Sequence, residues 1–273
     1  MSSIDYLDGV LALIGAGTLV YYFSQRFVKK SLHENRVPAW TPTKLELLGF
    51  LAFFVAQPLF AGIVGGANTK LYLGYNSILY ATVFTQTFSL LFLIVALRYV
   101  PAIFPQFSHE TLRVDSAKDF IKIVLLFCVA LGVVAVFSII SNLVPVVFPS
   151  LEETWQQNQS LVNALRGNVD GFAFASVFIA AVFLTPIIEE FIFRFAFYRF
   201  FKGSVRNGVV ASVITGTLFA VLHDSPAAWL PLIALNCVLC FSYEKTGRLI
   251  APIIVHALFN ANTIILILFE NKI

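Results

Sequence analysis

The chain reads as an all-α polytopic membrane bundle of about eight transmembrane helices. Three observations lead there. Of 273 residues, 59% are apolar and only 12% charged, where a soluble domain carries about 25% charged residues. The mean hydropathy is +0.85. Apolar runs near 20 residues, the length that crosses a bilayer, recur from one end of the chain to the other.

Those runs fall at 9–28, 46–66, 77–98, 120–145, 171–198, 208–223, 227–243 and 249–269. The first is preceded by Asp5 and Asp8 and by no Lys or Arg. That is unlike the basic start of a secretory signal, so the run is expected to stay as a spanning helix. The sixth and seventh are short and parted only by a turn at Ser225-Pro226, as in a helical hairpin. Pro58, Pro186 and Pro231 lie inside runs, which membrane helices tolerate where neighbours re-satisfy the freed carbonyl. Pro186 is placed to kink its helix just before Glu189. The polar stretch 146–170, with Glu152, Glu153 and Trp155, is expected to hold a short interfacial helix. Neither repeats nor a domain boundary are visible. The chain reads as one integral membrane domain over 1–273, with four helices in 1–168 and the motif-bearing helices in 169–265.

Lys and Arg alternate between successive connections with counts of 5, 1, 4, 1, 3, 0, 2 and 1, leaving out Arg194 within a run. By the positive-inside rule both termini are expected outside and the basic connections in the cytoplasm; the expected location is a prokaryotic plasma membrane. The net charge of +3 is small and no basic face is visible, so nucleic acid is not an expected partner. The 29 Phe read as lipid-facing and core packing. Cys237 and Cys240 have C-x-x-C spacing, but with no second Cys/His pair of zinc-ribbon spacing they read as small packing residues.

Three polar clusters interrupt the later runs: Glu189-Glu190-Phe191-Ile192-Phe193-Arg194, Phe219 to His223 beside Asp224, and His256 to Asn260. A charge at the centre of a membrane helix costs about 2.5–3.5 kcal/mol on insertion scales, so three together imply use. Glu189 and Glu190 point about 100° apart on a helix and cannot share a role. Glu190 and Arg194 have the favoured i, i+4 order of an ion pair, which leaves Glu189 free to face a cavity. His256 and Asn260, also i and i+4, share a helix face and can aim two donors at a developing oxyanion. The same groups also fit a buried ion network that locks helices, an interfacial histidine, or an interhelical hydrogen-bond pair.

The pattern E-E-x-x-x-R, F-x-x-x-H, H-x-x-x-N, each on its own apolar segment, resembles the CAAX-protease and bacteriocin-processing family, over about residues 170–265. The resemblance implies a metal-independent, glutamate-type intramembrane endopeptidase. Glu189 with His223 would activate water, and His256 and Asn260 would stabilise the oxyanion. Glu190, Arg194 and Phe219 would support them. It implies a membrane-associated or prenylated peptide or protein substrate, a lipid bilayer, and no cofactor or metal. The family's arginine is commonly followed by Gly; here Phe195 stands instead. A His₂Glu zinc set, a non-catalytic scaffold, chaperone or immunity protein, and a proton-coupled transporter stay open as alternatives. Oligomeric state is not legible.

Two expectations concern depth. Counting residues from Arg206 and Arg248 puts His223 and His256 about 13 Å apart along the membrane normal. Glu189, ten residues before Arg199, is expected in a cavity that opens to the cytoplasm.

Overall fold

The computed structural model describes residues 37–71, 75–99, 112–155, 160–166, 171–223 and 225–270. The expected first helix, 9–28, lies outside them. The other seven apolar runs are helices: α1 (Lys44–Leu71), α2 (Tyr75–Tyr99), α3 (Ala117–Asn142), α4 (Gly171–Val205), α5 (Gly208–Val221), α6 (Pro226–Thr246) and α7 (Ile250–Glu270). Among the described residues, four segments are long and apolar enough to cross a membrane: Ala117–Val147, Gly171–Val205, Pro226–Thr246 and Ile250–Phe269. The protein is thus a helical membrane protein. The interfacial stretch holds short helices, Glu152–Trp155 and Ser160–Arg166 among them.

Local chemistry sets the ends. Thr43 and Glu46 form a reciprocal capping box, Glu46 N–H to Thr43 Oγ1 at 3.3 Å and Thr43 N–H to Glu46 Oε2 at 2.7 Å. Ser116 Oγ caps α3 through Asp119 N–H, and Asn207 Oδ1 caps α5 through Val209 and Val210. α6 stops at Gly247 with φ 70°, a left-handed conformation that glycine takes without steric cost.

Packing follows from small residues as much as large ones. Ile123, Leu126 and Ala130 of α3 bury against Leu235 and Leu239 of α6 and Val255 of α7. α5 meets α6 at Gly216, where a Cβ would stand 3.2 Å from Ile233 O and 3.1 Å from Asn236 Nδ2. Close approach at small residues is how helices associate in lipid. Asn236 Nδ2 donates to Ser212 O across the same contact, at 2.8 Å. Cys240 is buried beside it and Cys237 is half-buried, both as free thiols. Large apolar side chains on the outside of the bundle, such as Ile63, Ile139 and Phe172, suit a lipid solvent.

One end of the bundle is tied by buried charge. Glu244 accepts from Tyr198 Oη at 2.8 Å and from Lys202 Nζ, while Lys202 also donates to Val37 O at 2.8 Å. Arg199 Nε donates to Pro38 O at 2.8 Å, and Trp40 N–H to Arg199 O at 3.0 Å. The segment entering α1 is thereby laid across the ends of α4 and α6. Arg248, between α6 and α7, bonds Arg113 O and Asp115 just before α3. At the other end Ser141 Oγ donates to Ala227 O, joining the end of α3 to the start of α6.

Candidate active site

α4 is not a uniform α-helix. It is π-helical over Ala180–Leu184, α-helical over Thr185–Glu190, and π-helical again over Phe191–Tyr198. π-turns inside helices are frequent at functional sites. Thr185 N–H bonds to Ala180 O, one residue further back than in an α-helix, and Pro186 has no N–H to give. Neither of the donors that helix geometry offers the Ala181 carbonyl therefore reaches it. Asn260 of α7 supplies one instead: its Nδ2 donates to Ala181 O at 2.8 Å.

The two carboxylates between the π-stretches diverge as their positions require. Glu190 is wholly buried and Glu189 is 22% exposed. Arg194 Nη1 lies 3.0 Å from Glu190 Oε1. No guanidinium N–H is aimed well enough to count as a hydrogen bond, so the contact is an ion pair held by charge, not by direction. The guanidinium carbon also sits 5.2 Å from the centre of the Phe219 ring, within cation–π range. Glu190 has a second partner, 66 residues away: His256 Nδ1 donates to Glu190 Oε1 at 2.7 Å. The other ring nitrogen of His256, Nε2, is 3.6 Å from Glu189 Oε2.

His223 is held in the same way. Its Nδ1–H donates to Phe219 O at 2.8 Å; a carbonyl can only accept, so the network assigns that proton. Both imidazoles are thus anchored through Nδ1 and present Nε2. The Phe219 ring lies between them, 4.7 Å from the His223 ring and 6.1 Å from that of His256. The expected mismatch in depth is absent. The counting behind it assumed that α5 and α7 start at one level and run with parallel axes, which packing need not keep.

Glu189, His223, His256 and Asn260 line one cavity of about 420 Å³, with Phe219 in its wall. Arg194 and Glu190 stay behind that wall. Thr82, Gln86, Thr185 and Thr263 also line it, and none was singled out from sequence. Thr185 precedes Glu189 by four residues and Thr263 follows Asn260 by three, so helix periodicity alone puts each on the face already chosen. Among the described residues no three His, Cys, Asp or Glu groups converge closely enough to hold a metal ion. Phe195, where the family pattern has Gly, is buried with the Arg199 guanidinium 4.5 Å above its ring.

The cavity does not extend toward Arg199. Its lining on α7 runs from His256 to Ile267, on α4 from Glu189 back to Ala181, and it includes Val162 and Leu165 of the interfacial stretch. α4 runs from Gly171 to Val205, which places Glu189 near its middle.

Residues 171–262, about a third of the chain, match the family described as type II CAAX prenyl endopeptidase Rce1-like. The chain is 26% identical over 179 residues to "Putative membrane peptidase YdiL" of Bacillus subtilis (strain 168), covering 65% of this chain and 67% of that one. It is 33% identical over 79 residues to "UPF0177 protein YxdF" of Lactococcus lactis subsp. lactis (strain IL1403), covering 28% of this chain and 42% of the relative. No solved structure matches it. Through helices α4 to α7, the chain is similar to the type II CAAX prenyl endopeptidase Rce1-like family.

Proposed function

We propose that the protein is an intramembrane endopeptidase in which a glutamate, not a serine, cysteine or metal, activates water. The observation that carries this reading is the meeting of Glu189, His223, His256 and Asn260 around one cavity, with Glu190 withdrawn behind it to orient His256. Glu189, helped by His223 Nε2, takes a proton from water as the water oxygen bonds to the carbonyl carbon. The C=O π pair moves onto oxygen. Asn260 Nδ2 has one hydrogen committed to Ala181 O and a second to give to that oxyanion. His256, with Nδ1–H held by Glu190, donates from Nε2 as the imidazolium. Collapse re-forms C=O and breaks C–N, and the proton taken from water passes to the leaving amine. Donors prearranged where charge develops are worth several kcal/mol in such a step.

The substrate is a peptide or protein associated with the membrane. A scaffold or immunity role would need none of these four groups free to face a cavity.

The test is cleavage of a membrane-peptide library by purified protein, wild type beside Glu189→Gln. The substitution keeps size and removes the base, so turnover falls by roughly 10²-fold or more. Wild-type rates from well-folded Glu189→Gln would sink the assignment, and an inactive wild type would favour the scaffold.

A further inference from the structure

We infer that the peptide reaches Glu189 from the extracytoplasmic side, so that the substrate presents its scissile bond at the outer face of the membrane. The inference rests on the peptidase reading and adds the direction of access and the form of the substrate.

Two independent observations converge. The first is the lining. Gln86 is eleven residues into α2, Leu232 six into α6, and His223 just past the end of α5. Together with Val162, Leu165 and Ile267 they belong to the half of the bundle that holds the interfacial stretch. Among the described residues, only Glu189, His256 and Phe259 of the lining stand beyond the middle of their helices toward the end where Arg199, Lys202 and Glu244 tie the segment before α1. The second is charge. That opposite end carries Arg98, Arg113, Lys202, Arg206, Lys245 and Arg248 among others, while the cavity end has Lys70 and Arg166 together with Glu152 and Glu153. The positive-inside rule makes the basic end cytoplasmic and the cavity end external.

The chemistry of the walls indicates what enters. Within a bilayer, an extended backbone is tolerated only where protein groups satisfy its N–H and C=O. The cavity places Gln86, Thr185, Asn260 and Thr263 among Leu232, Phe259 and Ile264. A lipid tail has no use for such polar groups, whereas an unwound peptide with apolar side chains can use both kinds of surface. At about 420 Å³ the space falls in the usual range of ligand sites, about 300–1,000 Å³. The substrate is therefore an extended segment of an exported or outer-leaflet-anchored peptide.

Cysteine accessibility tests this without relying on catalysis. In a background with Cys128, Cys237 and Cys240 changed to Ala and an unchanged melting temperature, Gln86→Cys, Thr263→Cys and Lys245→Cys are treated with a membrane-impermeant maleimide. Right-side-out and inverted vesicles are compared. The first two are expected to label at least tenfold faster in right-side-out vesicles, and Lys245→Cys in inverted ones. Gln86→Cys and Thr263→Cys labelling only in inverted vesicles, or in neither, overturns the route. Lys245→Cys labelling from outside overturns the orientation. Cleavage in detergent, where sides do not exist, separates the two readings. Cleavage with inward labelling refutes the route alone; outward labelling with no cleavage refutes the peptidase alone.

Discussion

Asn260 donates its amide to Ala181 O at 2.8 Å, and Ala181 is the carbonyl that Pro186 leaves without a helical donor. The π-turn in α4 and the orientation of a candidate oxyanion donor on α7 are thus one arrangement. Removing Asn260 orphans a buried carbonyl, at about 1–3 kcal/mol. Asn260→Ala should therefore lower both turnover and the melting temperature in detergent. Pro186→Ala restores a backbone N–H that can compete for Ala181 O. Combined with Asn260→Ala it should recover stability without recovering activity. A double variant as unstable as the single one would refute the coupling.

Arg194 is expected to serve stability before rate. It is buried with Glu190, which His256 also uses. Removing one member of a buried ion pair typically costs about 3–5 kcal/mol, so Arg194→Ala should melt well below wild type and express poorly. An Arg194→Ala protein that melts like wild type yet is inactive would show a direct catalytic role instead.

Gly216 is the position where α5 can least tolerate a side chain. A methyl group there would press on a backbone oxygen at 3.2 Å and on both Asn236 Nδ2 and Cβ. Backbone cannot swing aside, so α5 must shift, and α5 carries Phe219 and leads directly into His223. Gly216→Ala should cost about 1–3 kcal/mol, as overpacking does, and Gly216→Val more. Activity should fall further than stability accounts for. Equal activity per folded molecule would mean that the α5–α6 contact does not position His223.

Chelation should leave turnover unchanged. Glu190 already takes His256 Nδ1 and Phe219 O takes His223 Nδ1, so the anchoring nitrogens are committed within the protein. Elemental analysis of active, chelator-treated protein checks this. Stoichiometric zinc whose removal abolishes cleavage, and whose return restores it, would replace the glutamate mechanism.

Much was legible because it is local. Apolar runs give helices whatever their neighbours, and seven of the eight expected runs fall on described residues and are helical. The Glu190–Arg194 pair follows from i, i+4 geometry, and the three motifs follow from residue types at helical spacing. Those signals survive because helix periodicity ties sequence distance directly to a shared face.

The tertiary structure decided the rest. That Glu190 serves His256 as well as Arg194 depends on how α7 is rotated against α4, which no spacing within either helix records. Packing also brought the His223 and His256 rings to the two sides of Phe219, where residue counting along α5 and α7 sets them at different depths. Which residues line the cavity depends on how the helices pack, which spacing along one helix does not record. The sequence by itself determined a helical membrane protein, the family it resembles and the residue types of the site. Only packing determined how those residues share partners and which way they face, because contacts between helices are set by rotation, tilt and register and not by distance along the chain.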